Sequence, residues 1–139
     1  MSNITHCFNL KMRQASRVLT NHYDGYLRDD GITVTQFSIL RSLWYMKSTS
    51  QKDLQEVLVL QQTTLTRNLK PLIRDGYIRI SPSPEDGRVK LVSLTDEGKT
   101  LFQRARKQWK KAQNHISKQL GGKLSEKITD VADSILKLT

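Results

Sequence analysis

Between Thr63 and Arg74 the chain places side chains that bond without reacting: Thr63, Thr64, Thr66, Arg67, Lys70 and Arg74. Leu65, Leu69, Leu72 and Ile73 recur among them at helical spacing, which predicts a helix with a buried apolar stripe and those polar groups mostly on the other side. Hydroxyls and a guanidinium on one helix face suit hydrogen bonds to base edges in a major groove, and an ammonium beside them suits a phosphate. Further on, Arg88 follows the polar stretch Pro82-Ser-Pro-Glu-Asp-Gly87. At a hairpin tip, an arginine there can enter the negative potential of a minor groove. Reactive chemistry is missing. The one cysteine and three histidines form no Cys/His arrangement or metal-ligand spacing, and there is no Ser/His/Asp arrangement or glycine-rich phosphate loop. No enzyme, cofactor, metal site or internal disulfide is expected.

These side chains need a frame, and the hydrophobic periodicity supplies one. Ile4, Phe8, Met12, Ala15, Leu19, Tyr23 and Tyr26 follow one another at intervals of 4 and 3, a long amphipathic helix ending near Asp30-Gly31. Thr33 and Gln36 have capping-box spacing, with Ile32 and Phe37 at the staple positions, so a second helix starts at Val34 and buries Phe37, Leu40, Leu43 and Trp44. Ser48-Thr-Ser50 is a polar connector, and a short third helix carries Leu54, Val57 and Leu58 inward. The Thr/Arg helix follows as the fourth; Pro71 should kink or loosen it, and Asp75-Gly76 stops it.

From Tyr77 the period changes to two, with Ile78 and Ile80, and a second alternating run spans Val89 to Leu94, giving a hairpin with a long polar tip. Thr95 caps a fifth helix with the stripe Leu101, Ala105, Trp109, Ala112, Ile116 and Leu120. A sixth repeats Leu124, Ile128, Val131, Ile135 and Leu138, the rhythm of a helix-pairing seam. A short helix, a tight turn, a polar-faced helix and a hairpin describe a winged helix-turn-helix, so the chain is expected to be mainly α with a small β-hairpin.

The chain has 139 residues, 23 Lys+Arg against 13 Asp+Glu, and a net charge of +10. The excess is +3 in residues 1–50, +2 in 51–92 and +5 in 93–139. Such a balance makes nucleic acid the first partner to consider. Apolar residues are only 37% of the chain, below the roughly 45% of an average soluble domain, so part of the apolar surface is expected to need a partner chain. With no apolar run near the ~18 residues of a membrane span and no signal-peptide core, a soluble cytoplasmic protein without a membrane partner is expected.

Thr33-Val-Thr-Gln36-Phe37, Thr63-Thr-Leu-Thr-Arg67-Asn-Leu-Lys70-Pro-Leu, Asp75-Gly76-Tyr-Ile78, Asp86-Gly-Arg88 and Leu94-Thr95-Asp-Glu-Gly98 resemble, in order and spacing, the signature stretches of the MarR family of bacterial transcriptional regulators. The resemblance covers 33–98, and the flanking helices match that family's dimerisation elements. It implies a homodimer whose N-terminal (1–32) and C-terminal (99–139) helices interlock. That dimer would hold two winged heads (33–98) over a pseudo-palindromic double-stranded DNA operator, acting as a repressor. On this match the DNA-binding residues are Thr63, Thr64, Thr66, Arg67 and Lys70 on the reading helix and Arg88 on the wing, with Asp86 supporting Arg88. The chain departs from the pattern at Gln61-Gln62, where similar chains carry Asp-Arg; Gln62 can still read adenine, which implies a shifted base preference.

The resemblance also implies a release mechanism. Some relatives sense peroxide through a first-helix cysteine held by tyrosines, which makes Cys7 a candidate redox sensor. Here Cys7 lies about two residues early, Lys11 or Met12 falls near one tyrosine position and Phe37 takes another, so an inert thiol is the competing reading. Many relatives respond to a small aromatic effector between the dimerisation helices and the head; His22, Tyr23, Tyr26 and Trp44 are candidate lining, or else core. The alternative for the whole chain is a winged-helix protein-interaction module, an antirepressor without DNA binding.

Overall fold

In the computed structural model, which describes residues 3, 4 and 6–138, the elements run α1 (Phe8–Leu27), α2 (Val34–Met46), β1 (Ser48–Ser50), α3 (Gln51–Leu58), α4 (Gln62–Arg74), β2 (Ile78–Pro82), β3 (Lys90–Leu94), α5 (Asp96–Leu120) and α6 (Gly122–Leu136). Local signals set most boundaries. A 3-10 turn, Arg28–Asp30, extends α1 to Gly31, whose φ of 74° accepts the left-handed exit. The capping box forms: Gln36 N donates to Thr33 Oγ1 at 3.2 Å and Thr33 N to Gln36 Oε1 at 3.0 Å, with Ile32 and Phe37 buried as the staple. Ser50 caps α3 through Asp53 N at 3.1 Å.

Several expectations need correction. Ile4 precedes α1 and is exposed. Ser48–Ser50 is not a bare connector but an edge strand on β3, making a three-stranded antiparallel sheet of order β1-β3-β2. Only Thr49 of the three turns inward, so no apolar alternation announced it. Val57 and Ile73 are exposed rather than core, because α3 and α4 meet their neighbours through narrower stripes, Leu54 with half-buried Leu58, and Leu65, Leu69 and Leu72. Phe102, absent from the expected stripe, is fully buried. Pro71 does not break α4, which runs on to Arg74; being in the last turn, it affects only the end of the helix.

One core unites α2, α3, α4, the sheet and the start of α5 through Phe37, Leu40, Leu43, Leu54, Leu65, Leu69, Leu72, Ile78, Val92, Leu101 and Phe102. The outer helices differ. In α6, Leu124, Ile128, Val131 and Ile135 all remain exposed, and α1 likewise exposes Phe8, Met12 and Val18. Among the described residues no helix is long and apolar enough to cross a membrane.

The junction after the hairpin is tight. Thr95 N donates to Tyr77 O at 3.1 Å, its hydroxyl donates to Gly76 O at 2.5 Å, and the same oxygen accepts from Gly98 N at 3.0 Å to cap α5. A Cβ on Gly98 would lie 2.0 Å from Tyr77 O, a backbone atom that cannot move aside alone. Gly98→Ala is therefore expected to lower stability in urea unfolding by about 2–3 kcal/mol, the scale of an overpacked core. An unchanged midpoint would contradict this reading of the junction.

Candidate nucleic-acid interface

Helix α4 is seated by Leu65, Leu69 and Leu72, each at most 2% exposed. Fixing that side fixes the other. Gln62, Thr63, Thr66, Arg67 and Lys70 are exposed on it, in adjacent rows set by steps of three and four residues. Thr64 is half-buried, and its carbonyl accepts from Asn68 Nδ2 at 2.9 Å. The N-cap residue Gln61 makes no side-chain capping bond, so the first turn keeps free N–H groups.

Arg67 and Lys70 form no ion pair among the described residues, whereas Arg74 is engaged. Its Nε and Nη2 donate to Asp75 at 3.0 and 3.3 Å. The hydrogen bond and charge of Asp75 raise the Arg74 pKa; in return the bond from Arg74 lowers that of Asp75. The Arg74 side chain is nonetheless 74% exposed, so this is a surface pair.

The wing tip is irregular but internally tied. Ser83 N donates to Val89 O at 2.8 Å and Val89 N to Asp86 O at 3.0 Å. Asp86 Oδ1 accepts from both Arg88 N (3.1 Å) and Arg88 Nε (3.3 Å). The Arg88 side chain is nonetheless 93% exposed, so the carboxylate holds its base while the outer guanidinium nitrogens face solvent. Free, oriented donors on a helix and on a loop tip are what contact with a polyanion requires.

A family model described as MarR family matches residues 32–90. Across nearly the whole length, the M. tuberculosis transcriptional regulator MosR in complex with DNA is 31% identical, with a TM-score of 0.79, covering 95% of this chain and 99% of that one. This chain belongs to the MarR family. The organic hydroperoxide resistance transcriptional regulator of Bacillus subtilis is 36% identical over 91 residues, 66% of this chain and 62% of the relative. NadR in complex with 4-hydroxyphenylacetate shares the fold at a TM-score of 0.78 and 22% identity, covering 96% of this chain and 94% of that one. The chain spans between 48% and 62% of the lengths of the first curated relatives it matches.

In this MarR-family chain Cys7 is the exposed N-cap residue of α1. Tyr23 lies sixteen residues further on, about 24 Å along the helix, and its phenol donates to Gln113. Burial raises the pKa of that phenol. Phe37 is stacked between Phe102 and Trp109, at 5.5 and 5.7 Å. Within one chain, then, thiol and hydroxyl do not meet.

The aromatic lining residues also separate. His22 and Tyr26 lie against His115, Tyr23 lines a groove, and Trp44 packs on Phe102 at 5.0 Å. Sequence reasoning missed two arginines among them. Arg41 lies 5.3 Å from the ring centroids of both Tyr45 and Trp109, and Arg106 caps Trp44 and Phe102 at 5.7 and 5.4 Å. The spacing of Arg41 and Tyr45, one helical turn, was the available signal.

Asp86→Asn is expected to speed amide hydrogen exchange at Arg88 and Val89 while shifting global stability by less than about 1 kcal/mol, as for an exposed pair. Unchanged exchange at the tip would show that the carboxylate does not order it.

Proposed function

We propose that this chain is a sequence-specific DNA-binding transcriptional regulator, a repressor working as a homodimer on a pseudo-palindromic operator. The observation that carries the reading is the exposed α4 face: Gln62, Thr63, Thr66, Arg67 and Lys70 project from a helix fixed by its buried leucines. In this reading α4 lies in the major groove, half-buried Thr64 bounds the contact, and the free N–H groups at its start meet a phosphate. Arg88, held by Asp86, reaches the flanking minor groove. The MosR complex with DNA supports it. An antirepressor would be served by an acidic or apolar α4 face, and this one is basic and hydroxyl-rich.

The dimer reading rests on the apolar groove between α1 and α6. It has a volume of 590 Å³ and is lined by Met12, Leu19, Tyr23, Leu124, Ile128 and Val131. A second copy laying its own outer helices there would remove these side chains from water, at about 25 cal/mol per Å² buried. The division of labour is then 1–32 and 99–139 for pairing and 33–98 for reading, with the two α4 helices about 34 Å apart. Such a regulator works in the cytoplasm, where its operator is.

Release by a small aromatic effector fits the arginine-capped rings between α2 and α5, and NadR supplies the precedent of a bound phenolic acid. Release by oxidation would need the partner chain to bring hydroxyls to Cys7.

Gel shifts with DNA upstream of the coding region should show tight, selective and salt-sensitive binding. Lys70→Ala should weaken all sequences alike and lower the salt slope by about one, while Arg67→Ala should cost about 1–3 kcal/mol and relax one base pair. Gln62→Ala should erode an adenine preference in selected sites. No binding even at low salt would overturn the proposal. Separately, Ile128→Asp should give a monomer in sedimentation; a dimer that persisted would move the interface elsewhere.

A further inference from the structure

At the base of the wing, the sheet face turned away from the core carries a polar row. Ser48 on β1 is the direct cross-strand partner of Ser93 on β3, and Ser93 is in turn the partner of Arg79 on β2. Directly opposed residues share a face with Cβ atoms about 5 Å apart, so two hydroxyls and a guanidinium stand side by side. Lys47 directly precedes β1, and Lys99 lies in the first turn of α5. Lys47, Ser48, Ser93 and Lys99, with Leu43, Trp44 and Leu94, line a cavity of 370 Å³, at the small end of the range for small-molecule sites.

The charges around this cavity are one-sided. Among the described residues, no carboxylate pairs with Lys47, Arg79 or Lys99. Asp96 and Glu97, the nearest acidic residues in sequence to Lys99, line a different recess with Tyr77 and Arg104. Lys47 also has an unusual backbone, with φ 73° and ψ −76°, held by its N–H to Leu43 O at 2.9 Å. A glycine would make this turn from α2 into β1 with less strain, so the turn alone does not call for lysine. The cavity is separate from the wing tip: Ser93 lies three residues, about 10 Å, beyond the start of β3, and Arg88 precedes that strand.

We propose that this cavity binds a small organic anion, its carboxylate or phosphate between the Lys47 and Lys99 ammonium groups and beside the Ser48 and Ser93 hydroxyls. Its apolar body rests on half-buried Trp44, the one apolar side chain of the lining that is not closed into the core. Such a ligand would touch α2, the wing strands β1 and β3, and α5 at once, bracing the wing against the long helix. The site goes beyond the effector reading above, whose arginines lie over Tyr45 and Trp109 instead.

The test is titration of the ¹⁵N-labelled full chain with phenyl phosphate, benzoate and the neutral benzyl alcohol, followed by amide shifts. Saturable shifts at Lys47, Ser48, Ser93 and Lys99 are expected with one or both anions and not with the alcohol; which anion binds tighter distinguishes a phosphate site from a carboxylate site. Lys99→Gln should weaken the tighter anion about tenfold, the scale of one lost charged hydrogen bond. Ser93→Ala, a milder change on the sheet, should weaken it less without altering the rest of the spectrum. Absence of saturable shifts, an equal response to the alcohol, shifts centred on Arg41 and Trp109, or undiminished affinity in Lys99→Gln would each overturn the proposal.

Discussion

Tyr77 carbonyl and Gly98 approach so closely that no side chain fits between them, and the geometry of the whole head depends on that approach. Tyr77 N closes the end of α4 by donating to Leu72 O at 2.9 Å, while its carbonyl accepts from Thr95 N at the end of β3. Thr95 then turns the chain into α5 by capping Gly98, with its hydroxyl on Gly76 O. The exit of α4 is thereby locked to the junction of β3 and α5, nineteen residues further along the chain. A glycine is required because backbone must touch backbone, and a threonine because one side chain must accept from one helix and donate to a turn.

That lock explains how a head with little charge of its own can present a defined surface. Residues 51–92 contribute only +2 of the net +10. Bulk charge raises encounter rates, but selectivity needs donors at fixed positions. The leucines on the other side of α4 fix where Arg67 and Lys70 leave the helix, Asp86 holds the base of Arg88, and Arg74 is paired with its neighbour Asp75. Of the three basic side chains of α4, then, Arg67 and Lys70 have no carboxylate partner among the described residues and Arg74 has one.

How far the sequence could be read followed from which forces were local. Caps, turn glycines and the periods of two and 3.6 are encoded within a few residues, so the helices, the hairpin and the Thr33 and Thr95 caps were legible. β1 was not, because its three residues gain order from the free edge of β3 rather than from any pattern of their own. Nor was the exposure of Val57 and Ile73, since each adjoins another apolar residue, Leu58 or Leu72, that turns further inward, and only the tertiary neighbours choose between them. The reading-helix face could be drawn up from spacing alone, but the Asp75 grip on Arg74 and the arginine caps on Trp44 and Trp109 depend on rotamers and on a partner helix. Spacing cannot supply those.

Coupling between the outer helices and the head runs through two carboxylates. Asp24 of α1 accepts from Val34 N, the first residue of α2, at 2.7 Å, and so places a negative group at that helix's positive end. Asp30, with its side chain 8% exposed, accepts from Arg104 Nε at 2.8 Å and leaves its second oxygen buried without a partner. Losing the guanidinium would strand a buried carboxylate, which costs more than an exposed pair contributes. Both contacts tie the head to the outer helices, Asp24 from α1 to the start of α2 and Arg104 of α5 to the turn that follows α1. In the proposed dimer, the spacing of the two reading helices is then set where the outer helices pair. A ligand that repacks α2 against α5 need only prefer one spacing over the other to change operator affinity, and its leverage cannot exceed that difference in affinity.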